Sequence, residues 1–186
     1  ALDANWRVRH AALLLMPTLA ATLDKASFAT AFPVKGFAHR AIDSCSLIRR
    51  DWVQACVDIA KLPSYSSAWL EEAVVPLLCA RNEEKLYQKR AVLLDGMARL
   101  APHLRVEVLE ETLLPLALLM ITDKVPNLRL LLANALGDAS PHVSLQTVAS
   151  KVRPALTKLA SDEDQDVVEA AQQAMAVCSK HADDRL

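Results

Sequence analysis

The feature that most limits this chain is a period far longer than any secondary-structure repeat. An acidic residue, followed six positions later by a basic one, opens an apolar run at Asp3 with Arg9, Asp43 with Arg49, Glu84 with Arg90, and Asp123 with Arg129. Asp162 begins a fifth copy, in which Val168 stands in place of the base. The acids lie 40, 41, 39 and 39 residues apart. Pro76, Pro115 and Pro154 each precede the next acid by eight residues, and His103, His142 and His181 step by 39 and 39. Three markers sharing one period define a repeat array, in which each unit buries its apolar face only by stacking on its neighbours.

Each unit reads as a pair of helices. Val106, Leu109, Leu113, Leu116 and Met120 step by 3, 4, 3 and 4, an apolar helical stripe. Polar residues from Thr122 to Asn127 interrupt it, and apolar helical spacing resumes over 128–139. Ser140-Pro141 then stops the second helix, because proline cannot continue it, and Pro63 and Pro102 are the equivalent stops. Pro115 and its counterparts fall inside the first helix, which predicts a kink. The pattern predicts about nine antiparallel helices, at 5–22, 27–41, 48–61, 67–80, 86–101, 105–121, 127–139, 144–160 and 165–180. They group into units near 1–26 (a half unit), 27–65, 66–103, 104–142 and 143–186 of one array spanning 1–186. The expected fold class is all-α, an α-α superhelix. Composition agrees: hydrophobic residues make up 53% of the chain but aromatics only 4%, and Gly36, Gly96 and Gly137 are its three glycines. Hairpin-rich β folds and phosphate-cradling glycine loops need more.

The acid of each unit precedes its second helix, where a carboxylate can accept N–H groups and meet the positive end of the helix dipole. The base lies in the first turns of that helix, within reach of an acid from its own or the adjoining unit. Asp3, Arg9, Asp43, Arg49, Glu84, Arg90, Asp123, Arg129 and Asp162 are therefore expected to form a structural ladder along one edge. Each exposed rung is worth about 0–1 kcal/mol. Three residues after each acid come Trp6, Ser46, Tyr87, Pro126 and Gln165, which line one ridge if the stack is regular. Trp6, between Asn5 and Arg7, is the best-equipped anchor of that ridge, since Trp, Tyr and Arg dominate binding hot spots. Trp52 and Trp69 lie within apolar helices and are expected in the core.

Little in the sequence suggests chemistry. No catalytic residue, cofactor site or metal site is predicted. Three of the five histidines share one repeat phase near helix ends, and His10 and His39 lack partners at metal-ligand spacing. The adjacent carboxylates Glu71-Glu72, Glu110-Glu111 and Asp183-Asp184 point to different helix faces and read as solvated surface. Cys45, Cys56, Cys79 and Cys178 are scattered without a C-x-x-C pair, as expected of buried thiols in a reducing compartment. A formal net charge of −1 without a basic stripe argues against nucleic acid, and no run is long and apolar enough for a membrane span. The first helix, with Leu13, Leu14, Leu15, Met16 and Leu19, is expected to expose an apolar patch over 5–22.

The acid-x5-base turn, the preceding proline and the period together resemble the HEAT repeat. Asp3-Ala4-Asn5-Trp6-Arg7-Val8-Arg9 with Met16-Pro17, Asp123-Lys124-Val125-Pro126-Asn127-Leu128-Arg129, and the run from Val152-Arg153-Pro154 to Ala176 resemble late repeats of the scaffold (A) subunits of protein phosphatase 2A. That resemblance implies a non-enzymatic horseshoe whose intra-repeat turns bind the phosphatase catalytic subunit. A regulatory B-type subunit would be taken by repeats outside this stretch, and the location would be cytoplasmic or nuclear. It also implies that the chain is the C-terminal part of a longer solenoid. The other reading of the same grammar is a general HEAT adaptor, for example in transport, that binds extended peptide segments.

Overall fold

The computed structural model describes residues 3–32 and 34–183. Every predicted helical span is occupied by helix, and no strand occurs among the described residues. The protein is an all-α superhelix of antiparallel helices. Its α-helices are α1 (Trp6–Leu14), α2 (Met16–Thr22), α3 (Lys25–Ala31), α4 (Val34–Ala41), α5 (Ser46–Ala60), α6 (Ser67–Trp69), α7 (Val75–Cys79), α8 (Tyr87–Leu100), α9 (Val106–Val108), α10 (Leu114–Leu118), α11 (Pro126–Ala139), α12 (Leu145–Thr147), α13 (Arg153–Leu159) and α14 (Gln165–Asp183). One layer is formed by α1, α5, α8, α11 and α14, each packed on the next. The second layer carries the intervening helices.

The repeated proline has a specific structural consequence. Before Pro76, Pro115 and Pro154 the helix widens into a π turn, Leu70–Val74, Leu109–Leu113 and Val148–Val152. The residue preceding each proline then donates its N–H five residues back: Val75 to Leu70, Leu114 to Leu109, and Arg153 to Val148. Proline lacks an N–H, and its ring collides with the carbonyl four residues earlier, so a locally wider turn lets the helix continue. The rods 67–79, 106–118 and 145–159 are therefore each two α segments joined through a π turn. The span predicted as one helix over 27–41 is two, α3 and α4. Phe32, which precedes Pro33 in the sequence, leaves the helical region with φ −125° and ψ 70°, as residues before proline tend to.

A continuous core runs between the layers, with Leu13, Ile48, Trp52, Leu93, Leu113, Leu132, Leu136 and Leu156 fully buried. Trp52 is in the core as its apolar context predicts. Trp69 packs against that core from its edge, half-buried and stacked edge-on at 5.3 Å against Tyr65. Close helix approach explains Gly137, where a Cβ would lie 2.9 Å from the Cβ and 3.1 Å from the Cα of Ala174 on α14. The first-helix patch forms in part. Leu14 and Leu15 are 56% and 57% exposed and Val8 is half-exposed, whereas Leu13 and Met16 are buried. The side chain of His181, and Asp184, lie outside the described residues. Among the described residues no helix is long and apolar enough to cross a membrane.

Candidate protein-binding ridge

In each turn between the two layers the acid precedes the helix by three residues, and in the four aspartate turns its side chain accepts the N–H two positions on. Asp3 takes that of Asn5 at 2.7 Å, Asp43 that of Cys45 at 2.9 Å, Asp123 that of Val125 at 3.0 Å and Asp162 that of Asp164 at 3.0 Å. These are Asx-type turns, in which the carboxylate stands in for a backbone acceptor. The base of the following helix turn then closes the loop by donating to the acid's own carbonyl: Arg9 to Asp3 at 2.8 Å, Arg49 to Asp43 at 2.6 Å, Arg90 to Glu84 at 2.9 Å and Arg129 to Asp123 at 2.7 Å.

The same guanidiniums reach across to the next unit. Arg9 holds Asp43 with two bonds of 2.7 and 2.8 Å, Arg90 holds Asp123 at 2.7 Å, and Arg129 holds Asp162 with two bonds of 2.7 Å. These pairs are not the exposed rungs expected from the sequence. The Arg129 and Asp162 side chains are only 8% and 10% exposed. The Asp162 carboxyl is held below its ordinary value by the Arg129 hydrogen bonds, against a smaller opposing effect of burial. At Asp43 burial pushes the carboxyl up, but Arg9 and the Cys45 N–H together hold it below the usual range.

The rung expected between Arg49 and Glu84 is absent. Glu84 pairs instead with Arg81 at 2.9 Å and Lys89 at 3.6 Å, so Arg49 bonds only the carbonyls of Asp43 and Ser44. Glutamate is one methylene longer than the aspartate of the other turns. Its carboxylate lies beyond the short local loop that aspartate closes, and it is captured by cations of its own segment.

A second set of inter-unit contacts was missed by the sequence reading. Glu71 forms a forked pair with Arg105, and Glu110 accepts the N–H of Ser144 at 2.6 Å, each across 34 residues. These carboxylates tie one rod to the start of the next rod in the same layer and are not solvated surface. The hydrogen bonds of Arg105 hold the pKa of Glu71 below its usual value. Burial pushes the Glu110 pKa up, but the bonds from Ser144 and Thr147 and the charge of Lys151 together hold it below the usual value. The paired positions could have been found by asking which acids recur 34 residues before a helix start. His10 similarly meets Asp51 of the next unit at 2.6 Å. Among the described residues no group of three His, Cys, Asp or Glu side chains is placed to hold a metal.

Within this frame the five ridge candidates occupy one structural position. Trp6, Ser46, Tyr87, Pro126 and Gln165 are the first residues of α1, α5, α8, α11 and α14. Since successive helices of this layer pack on one another, with ion pairs joining three of the four pairs of neighbouring turns, these residues form a row along one edge of the solenoid. Trp6, Ser46 and Gln165 are exposed, and Tyr87 and Pro126 half-buried. Trp6 is 37% exposed, with the Arg7 guanidinium 4.8 Å above its ring and the His10 ring 6.3 Å away. Asn5 caps the helix by accepting the Arg7 N–H at 3.0 Å. The turn thus presents an aromatic plane and a cation already stacked together, so less side-chain freedom is lost when a partner covers them.

No family model matches the chain, and no curated protein matches it in sequence. Its likeness is to solved structures. Cex1p superposes with a TM-score of 0.70 at 16% identity, over 97% of this chain and 34% of Cex1p, so the chain spans about a third of that protein. A designed armadillo repeat protein superposes with a TM-score of 0.54 at 16% identity, over 95% of this chain and 78% of its own. Another, solved in complex with the peptide (KR)4, gives 0.55 at 12% identity, over 97% and 84%. At these identities the likeness is one of fold, a helical repeat solenoid of the armadillo and HEAT type.

Proposed function

We propose that the chain is a non-catalytic scaffold that binds the catalytic subunit of a serine/threonine protein phosphatase through its turn ridge, as the resemblance to the protein phosphatase 2A scaffold implies. The observation that carries this reading is the placement of Asn5, Trp6 and Arg7. A large aromatic stays more than a third exposed beside a cation at the helix start, on an edge where four further turns present equivalent positions. With helices about 10 Å apart, five turns span roughly 40 Å, comparable with one face of a globular enzyme. Trp6 is the main anchor and Tyr87 the second. Ser46, Pro126 and Gln165 supply complementarity more than energy. The whole stretch acts as one HEAT array, with its units dividing near residues 26, 65, 103 and 142.

A second reading, an adaptor for extended peptides, is favoured by the fold likeness to the designed protein solved with (KR)4. Capture of partners from lysate on the immobilised chain, followed by mass spectrometry, separates the two readings. The scaffold reading expects a phosphatase catalytic subunit that is lost with Trp6→Ala. Recovery of transport receptors or cargo with no phosphatase would reject it.

A further inference from the structure

The second layer changes character between its first two units. At the later seams a carboxylate ties neighbouring rods together, Glu71 to Arg105 and Glu110 to Ser144. One period of 39 residues before Glu71 stands Phe32, and one period before Arg105 stands Ser66. No such tie is possible there. The seam holds an aromatic-walled hollow of about 210 Å³, lined by Met16, Lys25, Phe28, Phe32, Tyr65 and Trp69. The rings brace one another: Phe28 lies 5.1 Å from Phe32 and 6.0 Å from Tyr65, and Tyr65 lies 5.3 Å from Trp69. The hollow is flanked by the starts of α3 and α6, the ends of the units opposite the turn ridge.

Two observations define an occupant. The volume exceeds the roughly 150 Å³ that accommodates benzene in an apolar cavity, yet falls short of the ~300 Å³ at which pockets for whole drug-sized ligands begin. It matches one aromatic group. Finally, Lys25 stands at the rim with its ammonium 5.6 Å from the centre of the Tyr65 ring, and among the described residues it has no carboxylate within ion-pairing distance. The adjacent Asp24 does not serve, because its carboxylate caps α3 through the N–H and hydroxyl of Ser27 at 2.9 and 2.7 Å.

We propose that this hollow is a docking site for a single aromatic side chain of a partner protein, carried in an acidic segment whose carboxylates meet Lys25. A tryptophan fits best, since its ring fills the aromatic walls in edge-to-face contacts. The site is separate from the ridge and does not rest on phosphatase binding.

The test is a titration of the 186-residue chain with the capped peptide Asp-Glu-Trp-Glu-Asp, following the methyl resonances of Met16, Ala29 and Ala73 by NMR. The expected result is a saturable shift of those methyls, weakened at least tenfold by alanine in place of the peptide's tryptophan and at least tenfold by Lys25→Glu. Ala29→Trp, at an exposed position on the wall, abolishes it without disturbing methyls elsewhere. The proposal is overturned if the peptide gives no saturable shift at millimolar concentration. It is equally overturned if the alanine peptide or a lysine-flanked tryptophan peptide binds as well, or if free indole shifts these methyls and the peptide does not. Ala29→Trp leaves capture of a phosphatase by the ridge unchanged, so failure of either reading is told apart from failure of the other.

Discussion

Replacing Arg129 and Arg49 in turn by methionine separates two residues that are equivalent by repeat position. Arg129 donates to the Asp123 carbonyl and makes two bonds of 2.7 Å to Asp162, with both side chains about nine-tenths buried. Methionine keeps most of the stem volume and leaves Asp162 with the backbone N–H groups of Asp164 and Glu163 as its neighbouring donors. Removing one partner of a buried pair costs about 3–5 kcal/mol, and for a pair at the rim of the core we expect the low end, about 3 kcal/mol. Arg49→Met loses two bonds to carbonyls and no carboxylate, whereas Arg129→Met loses one bond to a carbonyl and the carboxylate pair. The difference isolates the carboxylate, and Arg129→Met is expected to be less stable than Arg49→Met by about 2 kcal/mol, or about 4–8 °C in melting temperature for a chain of this size. The pH dependence has a definite sign. Asp162 is depressed in the folded state, so its contribution is fully present above the unfolded carboxylate value near ~3.9 and is lost as pH falls through the folded value. The gap between wild type and Arg129→Met therefore closes below about pH 4. Urea unfolding of the three proteins at pH 7 and in acid measures all of this. Equal destabilisation by the two variants, or a gap that persists undiminished in acid, would refute the reasoning.

Two further outcomes follow from contacts that repeat position alone does not show. Gly137→Ala is expected to destabilise by about 1–2 kcal/mol despite alanine's better helix propensity, because the new methyl meets the Ala174 backbone; a rise in urea midpoint would contradict this. Glu110→Ala removes the acceptor of the Ser144 N–H at 2.6 Å and is expected to cost about 1–2 kcal/mol, whereas Glu111→Ala, one position along, is expected to be nearly neutral; equal losses by thermal melt would return Glu110 to the solvated surface.

The long period, the layer order and the row of helix starts were all legible in the sequence, because stacking forces equivalent residues into equivalent places. What escaped was set by distances shorter than the pattern can register. Aspartate and glutamate count alike in an acid-x5-base rule, yet one methylene sends Glu84 to Arg81 and opens the second rung. Apolar spacing cannot tell a 3.6-residue turn from one wide turn, so Pro115 predicted a kink, and a π turn stands before it. Glu71 and Glu110 looked solvated because adjacent carboxylates do diverge on a helix; only the stacking of rods shows that one of each pair meets the next unit. Trp69 sits on an apolar helix face, but the face opens on a hollow. Tyr65 carried no signal, since a lone aromatic between Ser64 and Ser66 belongs to none of the repeat markers.

The central claim is that Trp6 binds a partner while Trp52 holds the fold together, and calorimetric titration of a purified protein phosphatase 2A catalytic subunit, run beside thermal melts of Trp6→Ala and Trp52→Ala, tests it most directly. Trp6 is 37% exposed and Trp52 fully buried. The account predicts that Trp6→Ala loses about 2 kcal/mol or more of binding free energy with its melting temperature nearly unchanged, whereas Trp52→Ala loses about 3–5 kcal/mol of stability to the cavity it opens. A Trp6→Ala protein that binds as tightly as wild type, or that melts as early as Trp52→Ala, would contradict it.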